Sequence, residues 1–139
     1  MTTQKKILCV DDDADMRRTV CDTLKGKGYE VVEAKDGEEA IRHLQDGKYD
    51  LVLLDVVMPG PSGLDVLRFL GSRGNRTPIA MITGKAGFTL ATESFMLGAV
   101  EYITKPFSSE YLVDTVARLV SSPPSPGGKP GAPAATKRS

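Results

Sequence analysis

At 139 residues, 40% hydrophobic and 26% charged, the chain has the composition of one globular domain with a single core. Its formal net charge is +0, so charge alone gives no support for a nucleic-acid or membrane partner. No apolar run approaches the length of a bilayer span, and Met1 to Lys6 lacks the apolar stretch of a signal peptide, so a cytoplasmic location is expected.

Apolar runs alternate with amphipathic segments along the chain. KILCV (6–10) reads as a strand, and DADMRRTVCDTLKGKG (13–28) as a helix. Met16, Val20 and Leu24 fall on one helix face, Asp13 is the expected N-cap, and Gly28 the C-terminal stop. Arg17 and Arg18 read as a solvated face of that helix. Cys9 and Cys21 do not form a CxxC pair and read as small core residues rather than a disulfide or metal site. YEVVEA (29–34) is a second strand. DGEEAIRHLQDG (36–47) is a second helix, with Asp36 as N-cap and Glu39 close to a capping box. Its His43, the one histidine of the chain, reads as an ordinary surface or flank residue.

LVLLD (51–55) is a third strand, and SGLDVLRFLGSRG (62–74) a helix with Leu64, Leu67 and Leu70 in register. Between them Met58-Pro59-Gly60 shapes a turn, and Gly63 permits close packing at the helix start. PIAMIT (78–83) is a fourth strand. AGFTLATESFMLG (86–98) is a weaker helix, in which Phe88 reads equally as core or as a partner contact. VEYIT (100–104) is a fifth strand, and SSEYLVDTVARLV (108–120) a last helix capped by Ser108. Residues 121–139 hold five prolines, three glycines and no large apolar residue, which predicts a disordered tail or linker after a domain of residues 1–120.

This alternation predicts an α/β domain with a doubly wound parallel sheet and helices on both faces. The first, third and fourth strands are continuous apolar runs, as central strands should be. The second and fifth are interrupted by Glu30, Glu33 and Glu101, as edge strands tolerate. The expected order is therefore 2-1-3-4-5, with a ligand crevice beyond the carboxyl ends of strands one and three. There strand one is followed by Asp11, Asp12 and Asp13, and strand three ends on Asp55. Strand four ends on Thr83, and strand five on Thr104 before Lys105-Pro106.

Crowded carboxylates repel one another unless a cation is present, and Mg²⁺, a hard cation with oxygen ligands, is the natural fit. An acidic pair, a lone Asp, a hydroxyl and a Lys are what phosphoryl transfer onto a carboxylate needs. The Asp attacks phosphorus, while metal, ammonium and hydroxyl stabilise the phosphoryl oxygens.

The ordered set CVDDD, LLDVVMPGPSG, MITG and EYITKPF resembles the response-regulator receiver domain of two-component signalling, over residues 5 to 120. The resemblance implies Asp55 as phosphoacceptor. It implies Asp12 as a direct Mg²⁺ ligand, Asp11 acting largely through water, and the backbone carbonyl of Val57 as a further metal-facing group. It makes Thr83 the switch hydroxyl, Lys105 the phosphate-facing lysine, Tyr102 the switch aromatic, and the Lys105–Pro106 bond cis. The side chains of Val57 and Lys85 would flank the path of a hydrolytic water, which implies a long-lived phosphorylated state. The phosphoryl donor is then a histidine kinase or phosphotransfer protein. The output is a downstream protein target contacted through the face of the fourth helix, fifth strand and fifth helix, where dimerisation also fits.

The expected function is a signalling switch that catalyses only its own phosphotransfer and slow dephosphorylation. The alternative is a Mg²⁺-dependent phosphohydrolase with Asp55 as nucleophile. Such enzymes usually carry a second acid two residues on, where Val57 stands, and the chain has no cap domain. A vestigial interaction module fits poorly with Thr83 and Lys105. The 19 residues from 121 on hold no helix-turn-helix or effector domain, so either the protein works through direct contacts or it is a fragment of a longer one.

Overall fold

The computed structural model describes residues 4–84 and 88–121. Its elements are β1 (Lys6–Val10), α1 (Ala14–Lys25), β2 (Glu30–Ala34), α2 (Gly37–Asp46), β3 (Leu51–Asp55), α3 (Gly63–Ser72), β4 (Ile79–Thr83), α4 (Phe88–Met96), β5 (Glu101–Thr104) and α5 (Ser109–Ser121). The five strands form one parallel sheet in the order β2-β1-β3-β4-β5. Every residue of β3 and β4 is buried, whereas β2 and β5 are only partly so.

Alternate side chains of a strand face opposite sides of the sheet, so a run apolar at every position needs cover on both. In β1, Ile7 and Cys9 join Val20, Cys21 and Leu24 of α1 and Leu112, Val116 and Leu119 of α5 in one cluster. Leu8 and Val10 join Leu44 of α2 and Val66, Leu67 and Leu70 of α3 in the other. Burying each such leucine contributes roughly 2 kcal/mol. Cys9 and Cys21 are free, buried thiols of the first cluster, as expected.

Local chemistry sets most helix starts. The Asp13 carboxylate accepts from the amides of Asp15 and Met16, the Ser62–Asp65 pair forms a reciprocal capping box, and Ser108 Oγ accepts from the Tyr111 amide. At α2 the Asp36 carboxylate accepts from the Glu39 amide, but Glu39 reaches back to the amide of Lys35, one residue beyond a capping box. Fully buried Ser94 satisfies its hydroxyl on the carbonyl of Leu90 within α4.

Several boundaries differ from the expectation. Helix α1 stops at Lys25, and Gly28, with φ +95°, closes the turn that follows rather than the helix itself. Helix α5 continues to Ser121, one residue past the expected domain end. Residues 122–139, Lys85 and the side chain of Phe88 lie outside the described residues, as do the expectations placed on them. Arg17 is not part of a solvated face. Its side chain is 16% exposed, and its guanidinium bonds Glu33 of β2 and the carbonyl of Asp11, while Arg18 stays exposed. Among the described residues no helix is long and apolar enough to cross a membrane.

Candidate functional site

Parallel pairing of β1 with β3 matches Val10 with Leu54, so Asp11 and Asp55 emerge side by side at the carboxyl edge. Both carboxylates are buried, whereas Asp12 is exposed. Oxygens of Asp11, Asp12 and Asp55 lie within 4.8 Å of one another. From the far end of β5, Lys105 Nζ reaches to 2.8 Å from Asp11 Oδ2 and 3.6 Å from Asp55 Oδ2. Its backbone amide donates to the carbonyl of Thr83 at 2.9 Å, tying the lysine to the end of β4, and the Lys105–Pro106 bond is cis.

The turn after β1 is held at several points. The Asp11 amide donates to Ala34 O of β2, and Asp11 Oδ1 accepts from the Asp13 amide at 2.9 Å. Asp13 faces its own helix as cap, not the acidic cluster. The segment after β3 is held by two glycines. A Cβ on Gly63 would overlap the backbone oxygen of Asp55, and one on Gly37 would overlap that of Pro61. The first was legible in the sequence. The second was not, because it joins the start of α2 to a turn far along the chain. The Val57 amide lies 3.4 Å from Asp55 Oδ1, and Val57 is 51% exposed.

Thr83 is buried at the end of β4, in register with Thr104, and Asp55 pairs with its neighbour Ile82. Tyr102, paired with Met81, is half-buried against the cluster that includes Leu90 and Leu97. Its phenol is raised above the ordinary range by burial. His43 is half-buried on α2, outside the acidic cluster.

Burial pushes the Asp55 carboxyl up to about 6; Lys105 and the Val57 amide oppose that rise, and Asp11 adds to it. Burial disfavours the Lys105 ammonium too, but its bonds to Asp11 and Asp55 prevail and hold it above the ordinary range. Among the described residues, three carboxylates against one ammonium leave negative charge in excess, part of it buried. A hard divalent cation fits this all-oxygen donor set.

The family model of the response regulator receiver domain matches residues 7–117. The chain belongs to this family. The receiver is 40% identical over 119 residues to the transcriptional regulatory protein ResD of Bacillus subtilis, covering 86% of this chain and 49% of ResD. It spans about half the length of the first curated relatives it matches, which are transcriptional regulatory proteins. Its fold matches the chemotaxis protein CheY4 of Vibrio cholerae with a TM-score of 0.79 at 34% identity, covering 84% of this chain and 98% of that one. It also matches the response regulator TrrA of Thermotoga maritima, in complex with Mg²⁺-BeF, with a TM-score of 0.76 at 35% identity, over 84% and 99% of the two chains. The protein is thus the receiver domain of a two-component response regulator, a signalling protein whose acidic cluster suggests a metal site.

Proposed function

We propose that Asp55 is the phosphoacceptor, taking a phosphoryl group from a phosphohistidine on a histidine kinase or phosphotransfer protein. The observation that carries this reading is Lys105, which bridges from β5 to both Asp11 and Asp55. An Asp55 oxygen forms the new P–O bond as the P–N bond to the donor imidazole breaks. Burial keeps competing water from Asp55, and the Lys105 ammonium stabilises charge on the phosphoryl oxygens. Lys105 leaves Asp55 free to attack by keeping its shorter contact to Asp11. Asp11, Asp12, Asp55 and the Val57 carbonyl would hold Mg²⁺, which when bound neutralises further charge on the phosphoryl group. The complex of TrrA with Mg²⁺-BeF supports this choice of cation.

Thr83 and Tyr102 are the proposed switch. Both sit at ends or edges of neighbouring strands, and the Thr83 hydroxyl is suited to bond a phosphoryl oxygen. Drawing it inward would shift Tyr102 towards its cluster and re-form the α4–β5–α5 face for a downstream protein, or for a second copy of the chain. In this reading the domain acts in the cytoplasm, turns over no external metabolite, and passes its state through residues 121–139 or by direct contact.

The test is incubation with acetyl phosphate and Mg²⁺, followed by mass spectrometry. One added phosphoryl group is expected, absent in Asp55→Asn and in EDTA. Modification that persists in Asp55→Asn refutes the assignment.

A further inference from the structure

The Asp11 carbonyl lies past the last register pair of β1, so the sheet ladder does not satisfy it. Arg17, on the first turn of α1, donates to it from Nη1 at 2.6 Å, while its Nε donates to Glu33 Oε1 on β2 at 2.9 Å. A guanidinium is planar, so two acceptors fix both its position and its plane. The turn that carries Asp12 is then tied to β2 twice, through the Asp11 amide on Ala34 and through Arg17 on Glu33. The Asp13 amide on Asp11 Oδ1 closes the turn from the other side.

We infer that Arg17 is a positioning residue for the acidic pair. It clamps the peptide between Asp11 and Asp12 so that the Asp12 carboxylate meets those of Asp11 and Asp55, and Glu33 anchors the clamp. This rests on the reading that the cluster binds Mg²⁺. Glu33 has a second effect. It neutralises Arg17 and keeps the guanidinium from swinging onto the carboxylates, where it would compete with the cation.

The clamp and a simple charge effect differ in sign. A positive charge beside a cation site weakens binding, so removing it should tighten Mg²⁺ binding. Removing a clamp should loosen binding, because the Asp12 carboxylate loses its fixed place.

The experiment titrates the full chain with Mg²⁺ alone and follows the amide signals of residues 11–13 by NMR, with thermal midpoints measured in EDTA. Arg17→Met should weaken Mg²⁺ binding about tenfold, the scale of residues that orient metal ligands. Arg17→Lys, which keeps the charge but not the fork, should recover part of that loss. Val20→Ala, on the same helix but in the core, should lower the midpoint and leave Mg²⁺ affinity unchanged. If Arg17→Met does not fold, Arg17→Gln, which also removes the positive charge and the fork, takes its place and should weaken Mg²⁺ binding. Unchanged or tighter binding in the variant tested, or an equal loss in Val20→Ala, overturns the inference. A wild-type chain that does not respond to Mg²⁺ overturns the metal reading, and the inference with it.

Discussion

At the carboxyl end of the sheet, buried Asp11 and Asp55 and half-buried Lys105 all bear on one point. At the amino end the charges are arranged differently. The Asp50 carboxylate accepts from the Lys6 amide at 2.8 Å, the Lys6 ammonium lies 4.9 Å from the centre of the Tyr49 ring, and all three residues are only half-buried. Two hollows lie at this second end. One of about 350 Å³ is lined by Leu67, Leu70, Ile79 and Met96, and one of about 600 Å³ by Lys5, Tyr49, Asp50 and Arg76. Space alone therefore does not mark the site. What marks it is buried charge that the protein leaves incompletely compensated, seen in an Asp55 carboxyl pushed up to about 6 by burial.

The largest effect that would sharpen this contrast is at Lys105. Lys105→Ala should slow phosphorylation of Asp55 by acetyl phosphate about 100-fold, because the cationic side chain that bridges Asp11 and Asp55 is gone. A rate within a factor of about three of wild type would take Lys105 out of the chemistry.

Next come the neighbouring aspartates. Asp12→Ala should weaken Mg²⁺ binding at least about tenfold. Asp13→Ala should leave affinity nearly unchanged and cost about 1 kcal/mol of stability, because Asp13 caps α1. Calorimetric titration with parallel urea melts separates the two, and equal losses of affinity would show that the cluster is drawn wrongly.

A smaller effect concerns pH. With Asp55 raised to about 6 in the folded chain and near 3.8 as its ordinary value, the folded state binds more protons between those values. This group's contribution is thus most favourable below about 3.8 and is lost as pH rises through about 6. Asp55→Asn removes the buried charge, so in EDTA at pH 7 it should be more stable than wild type by roughly 1–2 kcal/mol. The gap should close towards pH 4. A variant less stable than wild type at pH 7 would mean that Asp55 is held favourably even without metal.

The smallest effect belongs to the amino end. Asp50→Ala removes one bond to the Lys6 amide and should cost about 1 kcal/mol in a urea melt. The phosphorylation rate should not move. A change in rate would break the separation of the two ends.

The sequence by itself determined the strands, their order and the candidates for the site. Continuous apolar runs mark strands covered on both faces, and Glu30, Glu33 and Glu101 mark the edges, so burial separated inner from outer strands and the doubly wound pattern supplied the order. Asp13, Asp36 and Ser108 were legible as caps because a cap bonds amides within one turn of itself. The polar residues that follow β1 and end β3 and β4, and Lys105 after β5, pointed to the proposed chemistry before any distance was known. Tertiary structure decided what pairs with what. Lys105 and Asp11 stand 94 residues apart in the chain, and only the sheet order brings them to 2.8 Å. Arg17 looked like surface because helix periodicity does not reveal that β2 passes beside it with Glu33 and that the Asp11 carbonyl needs a donor. Gly37 looked like an ordinary helix start until Pro61 was found against it. Patterns of a few residues encode which face is buried and where a helix begins, while the partner of a buried polar group comes from another strand and is fixed only when the layers close.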